Sequence, residues 1–186
     1  MARTTTLSGL ARRLRRFARD REGVSAVEFA MVVPIMVTLY LGCVELSQGL
    51  AMNFKSTFAA RTVADLTSQY VSINNATMTS ILGAASTVVA PYSAANMVVT
   101  VSEITTNASG QGSITWSDSL NGTAHPVGQL VNLPTNLQTP NITLVWGEVS
   151  YPYTPQWGYV VTGTLNLYQS TYFYPRLSTS IQRVNS

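Results

Sequence analysis

Residues 29–44, FAMVVPIMVTLYLGCV, form a run of 16 residues without a charge. With the flanking residues 24–27 and 46–50 the apolar stretch approaches 25 residues. A helix rises about 1.5 Å per residue, so about 20 residues cross the ~30 Å hydrocarbon core of a bilayer. One membrane-spanning helix over residues 24–50 is therefore the reading this run imposes, with Glu28 and Glu45 near its ends. A cleaved secretory signal has a shorter apolar core, of about 7–15 residues, and a small-x-small cleavage site. No clear Ala-x-Ala follows the run here.

Charge supplies an orientation. Residues 1–22 hold seven arginines (Arg3, Arg12, Arg13, Arg15, Arg16, Arg19 and Arg21) against Asp20 and Glu22, a net +5. The rest holds Lys55, Arg61, Arg176 and Arg183 against six acids, a net −2. A basic tail by itself suits nucleic acid. Directly before an apolar span it reads instead as a positive-inside flank. Residues 1–23 are thus expected in the cytoplasm and everything beyond about residue 50 outside, with no nucleic-acid partner. Charged residues make up only 10% of the chain, well below the roughly 25% of soluble domains. Ser, Thr, Asn and Gln fill the difference, a balance that suits a β-rich extracytoplasmic surface.

The helical pattern continues past the span. Leu50, Phe54, Phe58, Leu66 and Tyr70 recur at multiples of four, with Val63 between them. One helix is expected from about residue 24 to about 72, its outer half (51–72) amphipathic. Pro34 lacks an N–H and clashes with the preceding turn, so a kink is expected there. Gly42, Gly49, Ala26 and Ala30 offer small surfaces for helix contacts. Cys43, the single cysteine, excludes an intrachain disulfide and reads as a small thiol facing lipid or helix.

Glu28 is the anomaly. A carboxylate at mid-span costs about 2.5–3.5 kcal/mol on insertion scales. Near a helix start it costs less, because the dipole favours negative charge and water is close. A boundary residue without function satisfies that physics. Spacing offers more: Gly23 precedes the run, Glu28 is the fifth residue after it, and Phe29 follows. A basic leader, a Gly, a Glu five residues on and an apolar helix resemble the class III signal of type IV pilins and pseudopilins. The wider string GVSAVEFAMVVPIMVTLYLGCVELSQGL resembles the TadE-like family of tight-adherence (Flp-type) pilus assembly proteins. Gly23, Ala26, Val27, Glu28, Phe29, Ala30, Pro34, Gly42 and Glu45 carry that pattern. ARTVADLTSQY (60–70) and the tail over 148–178 also look like that family.

The resemblance implies a cut by a prepilin peptidase between Gly23 and Val24, leaving residues 24–186. It implies that Glu28 helps pair the new N-terminal amine with a neighbouring subunit. It also implies a bacterial inner-membrane protein of single pass, with residues 73–186 as a periplasmic or extracellular α+β domain. Its partners would be pilins, pseudopilins and Tad-type assembly proteins, contacted as a homo- or hetero-oligomer through the N-terminal helix.

The outer part reads as a short helix and a small sheet. The polar run at 72–75 breaks the long helix. Met78, Ile81, Leu82, Ala85 and Val89 fit one face of a second helix, which Pro91 limits. Strand candidates are NMVVTVSEIT (96–105), ITWS (114–117), NITLVWGEVSYPY (141–153) and TLNLYQSTYFYPRL (164–177), with a turn at 107–113. Residues 118–140 read as a long loop, and TPQWGYVVTG separates the last two strands. The expected fold is α+β: a long N-terminal helix, a second short helix, and an antiparallel sheet of about four strands packed on the helix's outer half.

Chemistry is sparsely signalled. His125, the one histidine, precedes Pro126 and reads as a solvated loop residue; with Asp118 and nearby serines it makes only a forced triad. Glu103 and Glu148 fall in separate strand candidates that can be neighbours. No Cys/His cluster or phosphate-binding loop is present, so no cofactor or metal is expected and the chain does not read as an enzyme. Six tyrosines between Tyr151 and Tyr174, with Trp157 and Phe173, suit strand packing, with a binding face as the alternative. Four sequons (Asn75, Asn107, Asn121, Asn141) follow from Asn- and Thr-rich loops. Beside the pseudopilin reading stand two others: an uncleaved single-pass envelope protein with a partner-binding outer domain, and an envelope hydrolase.

Overall fold

A computed structural model describes residues 21–155 and 163–184, with side chains from residue 23. The leader arginines Arg12, Arg13, Arg15, Arg16 and Arg19, together with Trp157, lie outside the described residues. Helix α1 runs Arg21–Ser68, 48 residues, unbroken through Pro34. The chain divides into two units, one ending at Leu46 and the other beginning at Ser47.

In the first unit α1 presents apolar side chains to its surroundings. Val27, Phe29, Met31, Ile35, Met36, Leu39 and Tyr40 are all exposed. Pro34 leaves the ladder one donor short, and the hydroxyl of Thr38 donates to the Pro34 carbonyl at 2.8 Å.

The second unit is α+β. After α1 come β1 (Ser72–Ile73), α2 (Asn75–Val89), β2 (Val98–Thr106), β3 (Gly112–Leu120), β4 (Leu130–Val131), a 3₁₀ turn (Thr135–Leu137), β5 (Thr143–Tyr153), β6 (Leu165–Phe173) and β7 (Gln182–Arg183). The main sheet is antiparallel, in the order β4-β3-β2-β5-β6. It has five strands where the pattern suggests about four. The extra one, β4, is two residues long and carries no period that a sequence can show. It lies inside the stretch expected to be loop, and β3 extends beyond its expected end at residue 117 to Leu120. A second, parallel pair joins β1 to β7, Ser72 opposite Gln182 and Ile73 opposite Arg183.

Alternation along the strands divides the sheet into two faces. Val99, Val101, Val145 and Val149 point to one face and join a core with Met52, Ala59, Ala60, Val63 and Ala64 of α1. Met78, Ile81, Leu82, Ala85 and Val89 of α2 complete that core, as their spacing predicts. Ile104, Ile114 and Leu144 point to the other face and meet Leu133 from the segment after β3.

Of the apolar stripe on the outer half of α1, Val63 and Leu66 pack on the core, but the rest does not. Leu50, Phe54 and Phe58 are 56%, 55% and 58% exposed, and Tyr70 is exposed as well. The buried face carries Met52, Ser56, Ala59, Ala60, Val63, Ala64 and Thr67. Close approach explains the choice. A Cβ built on Gly147 of β5 would lie 2.6 Å from the Ala60 carbonyl oxygen and 2.9 Å from Ala64 Cβ. Only small residues let helix and sheet come that near.

Caps close the elements. Asn74 Oδ1 accepts from the Thr77 amide at 2.8 Å and starts α2. The Lys55 ammonium donates to the Val88 and Ala90 carbonyls at its end, where a cation suits the dipole.

Candidate functional site

Two regions carry the residues of interest, and each belongs to a different unit. In the first, Gly23, Val24, Glu28 and Phe29 lie in the opening turns of α1. A Cβ on Gly23 would meet nothing within 4 Å. Val24 is 58% and Phe29 69% exposed, and Glu28 is exposed between them. Gly23 and Val24 are thus exposed, and Glu28 is an exposed carboxylate little more than one turn beyond them. Arg21 opens the same helix. Further along, Gly42 and Glu45 are buried and Cys43 is exposed. An 18-residue window of this helix is apolar enough to cross a membrane, and only 6% of it is buried. That exposure separates it from the core helix of a soluble protein, which hides its apolar residues.

In the second unit, Gly49 rests on the ring of Tyr153, whose Cε1 would lie 3.5 Å from an added Cβ. Leu50, Phe54 and Phe58 follow along an uncovered stripe. More than half of each of these residues is exposed.

The sheet face turned away from α1 gathers residues that the sequence leaves scattered. β5 places Glu148 and Trp146 there, and β6 places Tyr168 and Tyr172 on neighbouring strand positions. Tyr168 Oη donates to Glu148 Oε1 at 2.6 Å. His125 Nε2 lies 2.6 Å from Glu148 Oε2, with 27% of the histidine side chain exposed against 10% of the glutamate. The imidazole stacks on Trp146 at 5.0 Å, and Trp146 stacks on Tyr172 at 5.9 Å. The His125 amide donates to Ser117 Oγ at 3.1 Å. His125 is thus not a solvated loop residue. The segment after β3 folds back over the sheet and seats the ring against a carboxylate. The spacing between 125 and 148 carries no trace of this.

Burial and the Glu148 bond push the Tyr168 phenol above its ordinary pKa; burial and the same carboxylate raise Tyr172. The arrangement holds the buried Glu148 side chain between the Tyr168 hydroxyl and the His125 ring. Asp118, the third member of a forced triad, is engaged elsewhere: Arg183 Nε donates to its Oδ2 at 2.7 Å.

Glu103 and Glu148 are not neighbours. β2 and β5 pair Glu103 with Val145 and Thr100 with Glu148, so the two acids point to opposite faces. Glu103 is 1% exposed, and its Oε1 accepts from the Ile181 amide at 2.7 Å. Trp116 Nε1 donates to the Ile181 carbonyl at 2.8 Å. Burial raises the Glu103 pKa, against the opposing pull of Ile181 and Trp116. Arg183 next to this clamp also reaches Asn75 Oδ1 at 2.7 Å, and the Arg176 amide donates to the Ser68 carbonyl at 2.8 Å. These groups fasten the tail across the core. Among the described residues no group of His, Cys, Asp and Glu is arranged to hold a metal ion.

No curated protein and no solved structure matches the chain. A family model described as TadE-like protein matches residues 23–65. The match begins at Gly23, takes in Glu28, Pro34, Gly42, Glu45 and Gly49, and ends three residues before α1 does. Together with the apolar helix it fits a Tad pilus-associated membrane protein of single pass. Over residues 23–65 the chain is thus similar to the TadE-like family.

Proposed function

We propose that this chain is a pseudopilin-like component of a tight-adherence (Flp-type) pilus assembly system. It is inserted in the inner membrane with residues 1–23 inside and residues 73–186 outside. A prepilin peptidase cuts between Gly23 and Val24. Glu28 then pairs the new Val24 amine with a neighbouring subunit, which is why a carboxylate is kept at the edge of lipid. The observation that carries the reading is the TadE-like match over a helix whose apolar residues from Val24 to Tyr40 are exposed. Residues 24–50 span the membrane, and the stripe Leu50, Phe54 and Phe58 carries subunit contacts beyond it.

Mass spectrometry of the chain from cells that contain the peptidase tests the cut. A mature N-terminus at Val24 is expected; an intact residue 1–23 segment sinks the processing claim. Glu28→Ala is expected to leave the anchor inserted and to stop assembly. Normal pilus assembly by that variant removes the pairing role. Phe54→Ser with Phe58→Ser is expected to abolish subunit crosslinking along the helix while the unfolding temperature of the outer unit changes little, because both rings are already exposed.

A further inference from the structure

We propose that one end of the outer unit is a membrane-contact surface that rests on lipid headgroups. It is formed by the last residues of β5, the first of β6 and the connection from α2 to β2. The inference stands on the reading that residues 24–50 of α1 cross a bilayer, and it adds what the outer unit does where that helix leaves the lipid. The contacts of α1 fix which end this is. Gly49 rests on Tyr153, Asn53 Oδ1 accepts from Gln169 Nε2 at 2.7 Å, and Ala60 and Ala64 cover Gly147. From Gly49 to the Ala60–Ala64 turn the helix climbs about 17–22 Å, and β5 covers about 20 Å between Tyr153 and Gly147. β5 therefore runs back along α1 and ends beside Gly49, and β6 starts there. The neighbouring strands share this end, with Val98 opposite Ser150 and Leu120 opposite Val99. The connection before β2 belongs to it as well: Asn121 Nδ2 donates to the Met97 carbonyl at 3.0 Å, and the Lys55 ammonium holds the Ala90 carbonyl. Because α1 reaches Gly49 directly from its apolar run, chain connection alone keeps this end beside the lipid.

The composition of this end suits the position. Residues 90–98, 120–124, 151–155 and 163–168 contain no Asp, Glu, Lys, Arg or His. The ion pair of Asp65 with Arg176 lies at the opposite end, past the last residue of β6. Lys55 spends its ammonium on the Val88 and Ala90 carbonyls. An uncharged end is not repelled by anionic lipid and loses no ion hydration against it. Tyr92 and Tyr151 are half-buried here, and Leu165 is exposed. Tyrosine suits the headgroup level, because its ring enters the apolar boundary while its hydroxyl stays wet. The anchor also holds lipid at this end at a high effective concentration, which no dilute soluble partner matches.

The test uses the full-length chain with Cys43→Ser in vesicles of phosphatidylethanolamine and phosphatidylglycerol. A fluorophore is attached to one new thiol at a time: Ala95→Cys on the proposed surface, Ser109→Cys in the turn at the other end of β2, or Met36→Cys in the apolar run. All three positions are exposed. Lipid with a nitroxide on its headgroup is expected to quench the Ala95→Cys label about fivefold more than the Ser109→Cys label, because β2 holds the two about 30 Å apart. Adding Leu165→Glu and Asn166→Glu is expected to remove that excess, through repulsion by phosphatidylglycerol. Leu165→Lys with Asn166→Lys perturbs packing as much but is expected to keep it. The proposal is overturned if the label at residue 95 is quenched no more than the one at 109. It is equally overturned if the glutamate and lysine pairs behave alike. Acyl-chain nitroxide lipid separates this from the reading beneath it. Quenching at residue 36 without headgroup quenching at 95 removes the surface and keeps the span, whereas no quenching at 36 removes both.

Discussion

Gly147 of β5 lies beneath Ala60 of α1 so closely that a methyl group on it would stand 2.6 Å from the Ala60 carbonyl oxygen. The Ala64 side chain closes the same gap at 2.9 Å. Backbone cannot yield as a flexible side chain does. Gly147→Ala is therefore expected to destabilise the outer unit by about 1–3 kcal/mol, and Gly147→Val by more. Thermal unfolding of the detergent-solubilised chain measures this. An unchanged midpoint for the valine variant rules out the close approach.

Glu103 gives the outer unit a pH dependence of unusual sign. Its pKa is raised by burial above the ordinary 4.5. Below that value the carboxyl is neutral folded or unfolded, and its contribution is fully present. As pH rises the unfolded chain ionises first, so stability is lost through the folded-state pKa. Glu103→Gln keeps an oxygen for the Ile181 amide and removes the ionisation. Its advantage over the parent chain in unfolding temperature is expected to widen from about pH 4 to pH 7. A gap that narrows over this range contradicts the assigned sign.

His125 anchors the segment after β3 through its 2.6 Å contact with Glu148 and its stack on Trp146. A hydrogen bond to a charged group is worth about 1.5–3 kcal/mol, or roughly 10- to 100-fold in opening. His125→Ala is expected to speed amide exchange over residues 121–129 by about that factor. Tyr168→Phe removes a bond to the same carboxylate from β6 and is expected to leave the segment protected. Equal exchange in the parent chain and the histidine variant means the ring does not hold the segment.

The local signals in the chain reached far because they are dense. Sixteen residues without a charge and a 3.6-residue period beyond them need no tertiary context to make α1. Met78, Ile81, Leu82, Ala85 and Val89 predict their own buried face on α2, because that helix has one apolar stripe. Val- and Thr-rich alternation places β2 and β5 within about two residues of where they lie. The Gly23–Glu28 spacing and the string after it point to the TadE-like family without any coordinates.

Tertiary structure decided what depends on distance between remote segments. The outer half of α1 has two candidate faces, and the larger apolar one stays outside. The sheet can approach only where Ala60 and Ala64 leave room for Gly147. β4, β1 and β7 are two residues each, too short for a period, and exist because a neighbour supplies hydrogen bonds. His125 and Glu148 are 23 residues apart, and Glu103 and Ile181 are 78. Chain composition sets what each residue can bond to, but only the fold of the intervening segments brings the partners within reach.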